Sequence, residues 1–160
     1  MITHTGSMQP RLILIIQDDE MACTEARWLQ RMFGPAVEVR LVPTVGQAIA
    51  LLANPDLPVD MILCDLSRLE GSTTWETVHA LAAAIAPRLM LIIPLVDGGE
   101  GAEKAAGATP RWGAPCIVKS TLNQGAFEAQ VHALWRRWQI LCSALRTVQV
   151  LGEPLPERQP

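Results

Sequence analysis

The sequence predicts a single α/β domain built on a doubly wound parallel sheet, and three observations support this class. Short apolar runs alternate with stretches whose apolar residues recur every three to four positions, as in amphipathic helices. This strand–helix order repeats five times, which is typical of a parallel sheet covered by helices on both faces. The chain has 160 residues, of which 49% are hydrophobic, enough for the core of one ordinary domain.

Strands are predicted where apolar residues run without interruption and a polar residue closes the run. The first, Leu12 to Ile16, is followed by Gln17, and the third, Val59 to Cys64, is followed by Asp65. Continuous apolar runs of this length indicate strands that are buried on both faces. The other predicted strands are residues 37–42, residues 89–96 with an interruption at Pro94, and residues 116–118.

Helices are predicted from apolar spacing together with capping and stop signals. Gly34 and Pro35 end the first helix, and Thr44 is placed to cap the second. Thr73 and Glu76 have the form of a capping box before the third. The predicted helices cover residues 21–33, 45–53 and 74–86, a short segment over 100–108, and a long last helix from about 122 to 151.

The two ends of the chain are predicted to lie outside the folded unit. Residues 1–10 are polar, lack the basic and apolar regions of a signal peptide, and suit a disordered, tag-like N-terminus. We assign residues 11–135 to the folded domain and residues 136–151 to an extension of the last helix. Residues 152–160 are rich in proline and are assigned to a disordered tail.

Composition narrows the expected partners and compartment. The formal net charge of −3 does not favour nucleic acid or an anionic membrane as a partner. The sequence contains no run of eighteen apolar residues, so it predicts no membrane-spanning helix. Four cysteines without a CxxC pair fit reduced thiols in the cytoplasm. The glycine fingerprint of dinucleotide-binding folds is absent, which argues against a dinucleotide enzyme.

Charged residues close three of the predicted strands: Asp18 and Asp19 the first, Asp65 the third and Lys119 the fifth. Parallel strands end at one edge of the sheet, and in the order 2-1-3-4-5 the first and third are neighbours where strand order reverses. Three carboxylates at such close range repel one another unless a cation joins them, and Mg²⁺ is the hard divalent ion best suited to oxygen ligands. Lys119 adds a positive charge suited to a phosphoryl oxygen.

With these residues, the sequence resembles the response-regulator receiver family over roughly residues 11–135. The segments that carry the resemblance are LILIIQDDE, MILCDLS, EKAAGA and CIVKS. The resemblance implies a flavodoxin-like fold and a cytoplasmic signalling domain of a two-component phosphorelay, not an enzyme. It also implies a histidine kinase or a phosphotransfer protein as the partner.

The resemblance assigns a role to each charged residue. Asp65 is the implied phosphoacceptor, and Lys119 is the residue that bridges to the phosphoryl group. Asp19, Asp65 and the backbone carbonyl of Ser67 are the implied direct ligands of Mg²⁺. Asp18 is the implied carboxylate that holds the metal through water.

The sequence departs from the family where that family reads out phosphorylation. The usual Ser or Thr at the end of strand four aligns with Pro94, and no Ser or Thr occurs between residues 78 and 108. Cys116 stands where the family has an aromatic residue, and the chain has no Tyr. An alternative therefore stays open: a degenerate, phosphorylation-independent receiver that acts as a dimerisation or protein-docking module. A flavodoxin-like small-molecule binder is a third option, but it needs a ligand loop that the sequence does not visibly have.

The last predicted helix carries a heptad pattern of apolar residues. A helix of about 30 residues is about 45 Å long, roughly twice what a compact sheet needs. Its later half, residues 140–151, is therefore predicted to expose apolar residues and to form a homodimer with a second copy. The alternative is that the helix bends back and completes its own core. The apolar positions, at steps of four and three, are Phe127, Val131, Leu134, Trp138, Leu141, Leu145 and Val148.

Overall fold

A computed structural model describes residues 9–17, 20–66, 74–86, 88–96, 117–118 and 123–152. Several predictions fall outside these residues: the polar start over 1–8, the capping residue Thr73, the short helix over 100–108, and the tail from 153 onward. The described residues include a strand at each of the five predicted positions, although Cys116 of the fifth lies outside them, and helices at the four longer predicted positions.

Five parallel strands form one sheet in the order β2-β1-β3-β4-β5, the doubly wound order that the sequence predicts. β1 and β3 lie side by side in the middle of the sheet, where the strand order reverses. The strands are β1 (Leu12–Ile16), β2 (Glu38–Val42), β3 (Val59–Asp65), β4 (Leu91–Val96) and β5 (Ile117–Val118).

In the described part of the chain, four helices connect or follow the strands and agree with the predicted ranges to within about two residues. Thr44 caps the second helix as predicted, because its hydroxyl oxygen accepts a hydrogen bond from the backbone N–H of Gln47 at 3.2 Å. Gly34 ends the first helix with a φ of +94°, a left-handed conformation that favours glycine. The helices are α1 (Glu20–Phe33), α2 (Val45–Leu52), α3 (Thr74–Ile85) and α4 (Gln124–Gly152).

Pro94 does not interrupt β4, contrary to the prediction. It lies inside a continuous strand, in register with Cys64 of β3. The carbonyl of the next residue, Leu95, points to β3, where it accepts a hydrogen bond from Leu66 N–H at 2.8 Å. The backbone groups of Pro94 therefore point the other way, toward β5, whose described part begins at Ile117 opposite Leu95. The missing N–H of proline thus removes no hydrogen bond from the described pairing with β3.

The core consists of two layers, one on each face of the sheet, because side chains alternate along every strand. On one face, Leu14 and Ile62 pack with Leu52 of α2 and Ile85 of α3. On the other face, Ile13, Ile15 and Leu63 pack with Leu29 of α1 and Phe127 of α4. Helices therefore cover both faces of the sheet, and its two middle strands are buried except at Asp60, near the start of β3.

Aromatic side chains hold α4 against α1. The rings of Trp28 and Phe127 lie 5.2 Å apart between centroids, and those of Phe33 and Trp135 lie 6.5 Å apart in an edge-on arrangement. Both separations fall in the range of favourable aromatic pairs. These contacts involve only the first half of α4.

The second half of α4 leaves the body of the domain. Phe127 and Val131 are fully buried, whereas Ile140, Leu141 and Leu145 are 70%, 47% and 41% exposed. The helix runs unbroken from Gln124 to Gly152, so it does not bend back onto its own core. The predicted exposure of apolar residues on the last part of the helix is confirmed for these three residues, and the side chains of residues 148–152 lie outside the described part. Among the described helices, none combines the length and apolarity needed to span a membrane.

Candidate functional site

The carboxyl-terminal edge of the sheet brings three residues of neighbouring strands into one row. Asp65 ends β3 and is in register with Leu95 of β4. Gln17 follows Ile16, the register partner of Cys64, so Gln17 and Asp65 are the next positions along β1 and β3. The backbone N–H of Gln17 continues the sheet by donating to the carbonyl of Val42 at 3.1 Å.

Asp65 is a buried carboxylate at the centre of this edge. Its residue is 3% exposed, and Gln17 beside it is 6% exposed. Side chains alternate along β3, so Asp65 lies on the same face as Leu63, the face that α1 and α4 cover. A carboxylate at the end of this central strand therefore has apolar core on its sheet side.

Cys64 precedes Asp65 and points into the opposite layer, among the residues that α2 and α3 cover. Burial and, to a smaller extent, the negative charge of Asp65 raise the pKa of the Cys64 thiol from 9.0 to about 12. The thiol is therefore protonated at neutral pH and is not a nucleophile. This supports the prediction that Cys64 is a core residue.

Of the residues predicted to form the site, the described part of the chain includes only Asp65. Asp18, Asp19, Ser67 and Lys119 lie outside the described residues, and so does Cys116. In sequence, Asp18 directly follows Gln17 of the row, and Lys119 directly follows Val118, the register partner of Val96. Within the described ranges, no group of three or more His, Cys, Asp or Glu side chains is arranged to hold a metal ion.

β4 carries no hydroxyl side chain. Its sequence is LIIPLV, and all six residues are buried. The register places Pro94 opposite Cys64 and Leu95 opposite Asp65. Whichever of these two positions corresponds to the hydroxyl of the receiver family, its occupant is apolar. The predicted departure from the family pattern therefore holds for the whole of β4.

Two buried polar residues were not singled out by sequence reasoning. Gln17 was treated only as the end of a strand, yet it stands beside Asp65. Glu25 is fully buried on α1, on the face that also buries Ala22 and Leu29. The spacing 22, 25 and 29 could have revealed it, because a polar residue inside an apolar helical stripe is expected to face the core.

No protein-family model matches the sequence, and no curated protein is recognisably similar to it. Solved structures are similar. A response regulator receiver domain protein from Clostridium thermocellum has 13% identity and a TM-score of 0.62, covering 81% of this chain and 97% of that one. The N-terminal domain of a response regulator/sensory box/GGDEF three-domain protein from Carboxydothermus hydrogenoformans has 22% identity and a TM-score of 0.62, covering 82% and 98%.

A third similar structure is a fusion protein that contains a trimeric coiled-coil segment of yeast Spc42. It has 20% identity and a TM-score of 0.64, and the likeness covers 90% of this chain and 95% of that one. At such identities a structural likeness establishes the fold. The chain therefore has the flavodoxin-like fold of response-regulator receiver domains, with an extended C-terminal helix.

Proposed function

We propose that this chain is the receiver domain of a response regulator and accepts a phosphoryl group on Asp65. The observation that carries the proposal is the place of Asp65: a buried carboxylate at the carboxyl end of the central strand, at the point where strand order reverses. Sites of doubly wound sheets lie at this edge. In sequence, the acidic pair Asp18 and Asp19 follows Gln17, the residue after the neighbouring strand β1.

The chemistry follows from the residue types. An ionised aspartate can act as a nucleophile toward phosphorus. One carboxylate oxygen of Asp65 forms a bond to phosphorus as the bond from phosphorus to the donor imidazole nitrogen breaks, which leaves an acyl phosphate. The donor is a histidine kinase or a phosphotransfer protein, and a cytoplasmic location is part of the proposal. The buried Cys64 thiol, which forms no disulfide, suits that reducing compartment.

Mg²⁺ is the proposed cofactor, with Asp18, Asp19, Asp65 and the carbonyl of Ser67 as the residues that hold it. Bound there, Mg²⁺ supplies positive charge to the transferring oxygens. The buried carboxylate of Asp65 fits a hard cation with oxygen ligands. Lys119 is proposed to bind a phosphoryl oxygen from the end of β5.

The readout of phosphorylation is proposed to differ from the family pattern. A hydroxyl on β4 cannot follow the phosphoryl group, because β4 consists of Leu, Ile, Pro and Val. The same observation favours a second candidate function, a phosphorylation-independent receiver that serves as a dimerisation or docking module. The two candidates differ in whether the edge around Asp65 binds a phosphoryl group at all.

Self-association through α4 is part of both candidates, and a second copy of the chain is the proposed partner. Leu141 and Leu145 are exposed on the extension at heptad spacing. The likeness to a structure that contains a trimeric coiled coil covers 90% of this chain, against 81% and 82% for two of the receiver structures. This supports an associating role for the extended helix.

Beryllofluoride, a mimic of a phosphoryl group on aspartate, distinguishes the two candidate functions. With Mg²⁺ present, the phosphoacceptor predicts amide chemical-shift changes at Gln17, Asp65 and Leu95, and none in Asp65→Asn. Asp56→Asn is the matched control, because Asp56 is an exposed carboxylate in the loop before β3, at the opposite edge of the sheet. An unchanged wild-type spectrum at millimolar Mg²⁺ rejects the phosphoacceptor and leaves the docking module.

A further inference from the structure

We infer that the α4 extensions of two copies pair antiparallel, with Leu141 of one copy packed against Leu145 of the other. This inference rests on the proposed self-association and adds its direction. We define the extension as residues 139–152 of α4, the part beyond Trp138, which is the last residue of the helix that packs on the core.

The first step concerns one stripe of α4, the apolar residues at steps of four and three from Phe127 to Leu145. Its first part covers the core of the domain, and its last part is exposed. Phe127, Val131 and Leu134 are 0%, 0% and 7% exposed, because this stripe covers the sheet of its own domain. The 4-3 spacing then continues without a break to Leu141 and Leu145, which are exposed. An ideal helix drifts only about 20° per heptad. The exposed leucines therefore point to the same side of α4 as the body of their own domain.

The second step is that this shared side excludes a parallel pair. Paired helices lie about 8–10 Å apart. In a parallel pair, the partner helix on the leucine side continues back toward its own residue 124, alongside residues 124–138 of the first copy. That space is filled by the first copy's own sheet, against which Phe127 and Val131 are packed. A parallel pair therefore requires α4 to bend, and α4 is a continuous helix.

The third step is that an antiparallel pair confines the overlap to the last residues of each helix. Pairing Leu141 with Leu145 of the second copy places the two-fold axis level with residue 143. Residues 148–152 of each helix then lie level with residues 134–138 of the other copy, so the pair overlaps the body of each domain over about five residues, against fifteen in the parallel pair. Cys142 and Ala144 flank the two leucines on the helix surface, and both are small enough to allow the two helices to approach closely.

Charge supports the same arrangement. Residues 129–152 contain three of the chain's 13 Lys and Arg residues and none of its 16 Asp and Glu residues. The other residues that the structure describes include five basic and eight acidic residues, a formal charge of −3. The three basic residues are Arg136, Arg137 and Arg146. Arg146 is the one charged residue of the extension, and an antiparallel pair brings it toward the acidic body of the other copy, which is favourable.

The association itself is tested by sedimentation velocity over a concentration series. The wild-type chain is expected to dimerise, and the double variant Leu141→Gln/Leu145→Gln to be monomeric. Ile140→Gln is the matched control, because Ile140 is the most exposed large apolar residue in the described part of the chain and lies off the stripe. It is expected to leave the dimer intact. A monomeric wild-type chain overturns both the association and its direction, and binding of that monomer to anionic vesicles would assign the basic helix to a lipid surface.

The direction is tested by pulsed electron–electron spin resonance between spin labels on the two copies. One sample carries the label at Cys142, and the other at Ala133→Cys, an exposed position ten residues before the axis. The other cysteines are replaced. An antiparallel pair separates the Ala133→Cys labels by about 30 Å along the helices and the Cys142 labels by about 3 Å. Equal distances at the two sites in a confirmed dimer would overturn the direction and leave the association standing.

Discussion

Asp65 of β3 lies directly opposite Leu95 of β4 at the carboxyl edge of the sheet. The two strands remain joined past this pair, since the N–H of Leu66 donates to the carbonyl of Leu95 at 2.8 Å. Leu95 is fully buried, and so the carboxylate of Asp65 has an apolar neighbour on this side. Polar partners for a phosphoryl group on Asp65 must therefore come from β1, from β5 or from loops, and not from β4.

Mg²⁺ is expected to stabilise the wild-type chain through Asp65. At about five times its dissociation constant, a ligand that binds only the native state adds about 1 kcal/mol to the free energy of unfolding. Thermal unfolding with and without Mg²⁺ measures this gain. Asp65→Asn is expected to lose it, and Asp56→Asn, at the opposite edge, to retain it. Equal gains in all three proteins would mean that Mg²⁺ binds elsewhere.

Cys64 is expected to make the domain less stable at alkaline pH. Its thiol ionises near pH 9.0 in the unfolded chain and near pH 12 in the native chain. Between these pH values, the unfolded chain has released a proton that the native chain keeps, which favours the unfolded chain. The contribution of Cys64 to the free energy of unfolding is therefore complete below pH 9 and declines as the pH rises toward 12. By pH 10.5 the loss is on the order of 2 kcal/mol.

Urea unfolding at pH 8 and pH 10.5 measures this loss, and Cys64→Ala is the reference. The variant is expected to be less stable than the wild type at pH 8, and its stability is expected to fall less between the two pH values. The chain has no tyrosine, whose ionisation would otherwise overlap with that of the thiol. Identical pH dependence in the two proteins would show that the native thiol ionises as in the unfolded chain.

Asp60 is expected to stabilise the start of the sheet. It joins β3 to the residue before β1, because Arg11 donates to its carboxylate from the backbone N–H at 2.8 Å and from Nε and Nη2 at 3.0 Å each. Asp60→Asn is expected to lower the free energy of unfolding by about 1 kcal/mol, since a two-pronged arginine pair is stronger than an ordinary surface pair.

The matched control for Asp60 is Glu38→Gln. Glu38 pairs with Arg40 two residues away on the edge strand β2, and both side chains are about half exposed. Such a pair is expected to contribute less than about 0.5 kcal/mol. Urea titrations of Asp60→Asn and Glu38→Gln in the same buffer compare their losses in free energy of unfolding. Similar losses would indicate that the Arg11 contact has no special strength.

Arg88 is expected to stabilise the turn that follows α2. Its guanidinium donates to the carbonyl oxygens of Leu52, Asn54 and Leu57, which lie at and after the end of that helix. Arg88→Lys keeps the charge but cannot reach three carbonyls at once, so we expect a loss of about 1–2 kcal/mol in urea unfolding. Arg27→Lys, on the exposed side of α1, is expected to change nothing measurable. A full recovery of stability by lysine at position 88 would contradict this account.

Most of the fold could be predicted from the sequence because its strands are buried on both faces. Runs such as Leu12 to Ile16 leave little choice of structure, and their alternation with helical spacing implies parallel pairing. Pro94 was the misleading residue. Its effect depends on whether its missing N–H faces β3 or β5, which is a property of register and cannot be inferred from composition.

The site was less predictable than the fold. The predicted end of the third strand is enough to place an aspartate at the edge of the sheet, and Asp65 lies at that position. Gln17 and Glu25 were missed because polar residues are usually exposed, and their burial depends on how α1 packs against the sheet. The roles of Asp18, Asp19, Ser67 and Lys119 remain predictions from the family resemblance.

Transfer of radioactive phosphoryl groups from acetyl phosphate tests the central claim most directly. With Mg²⁺, the wild-type chain is expected to acquire label that hydroxylamine removes, as it does from an acyl phosphate. Asp65→Asn is expected to acquire none, and Asp56→Asn to be labelled like the wild type. Absence of label from the wild-type chain, or equal labelling of Asp65→Asn, would contradict the assignment of Asp65 as the phosphoacceptor.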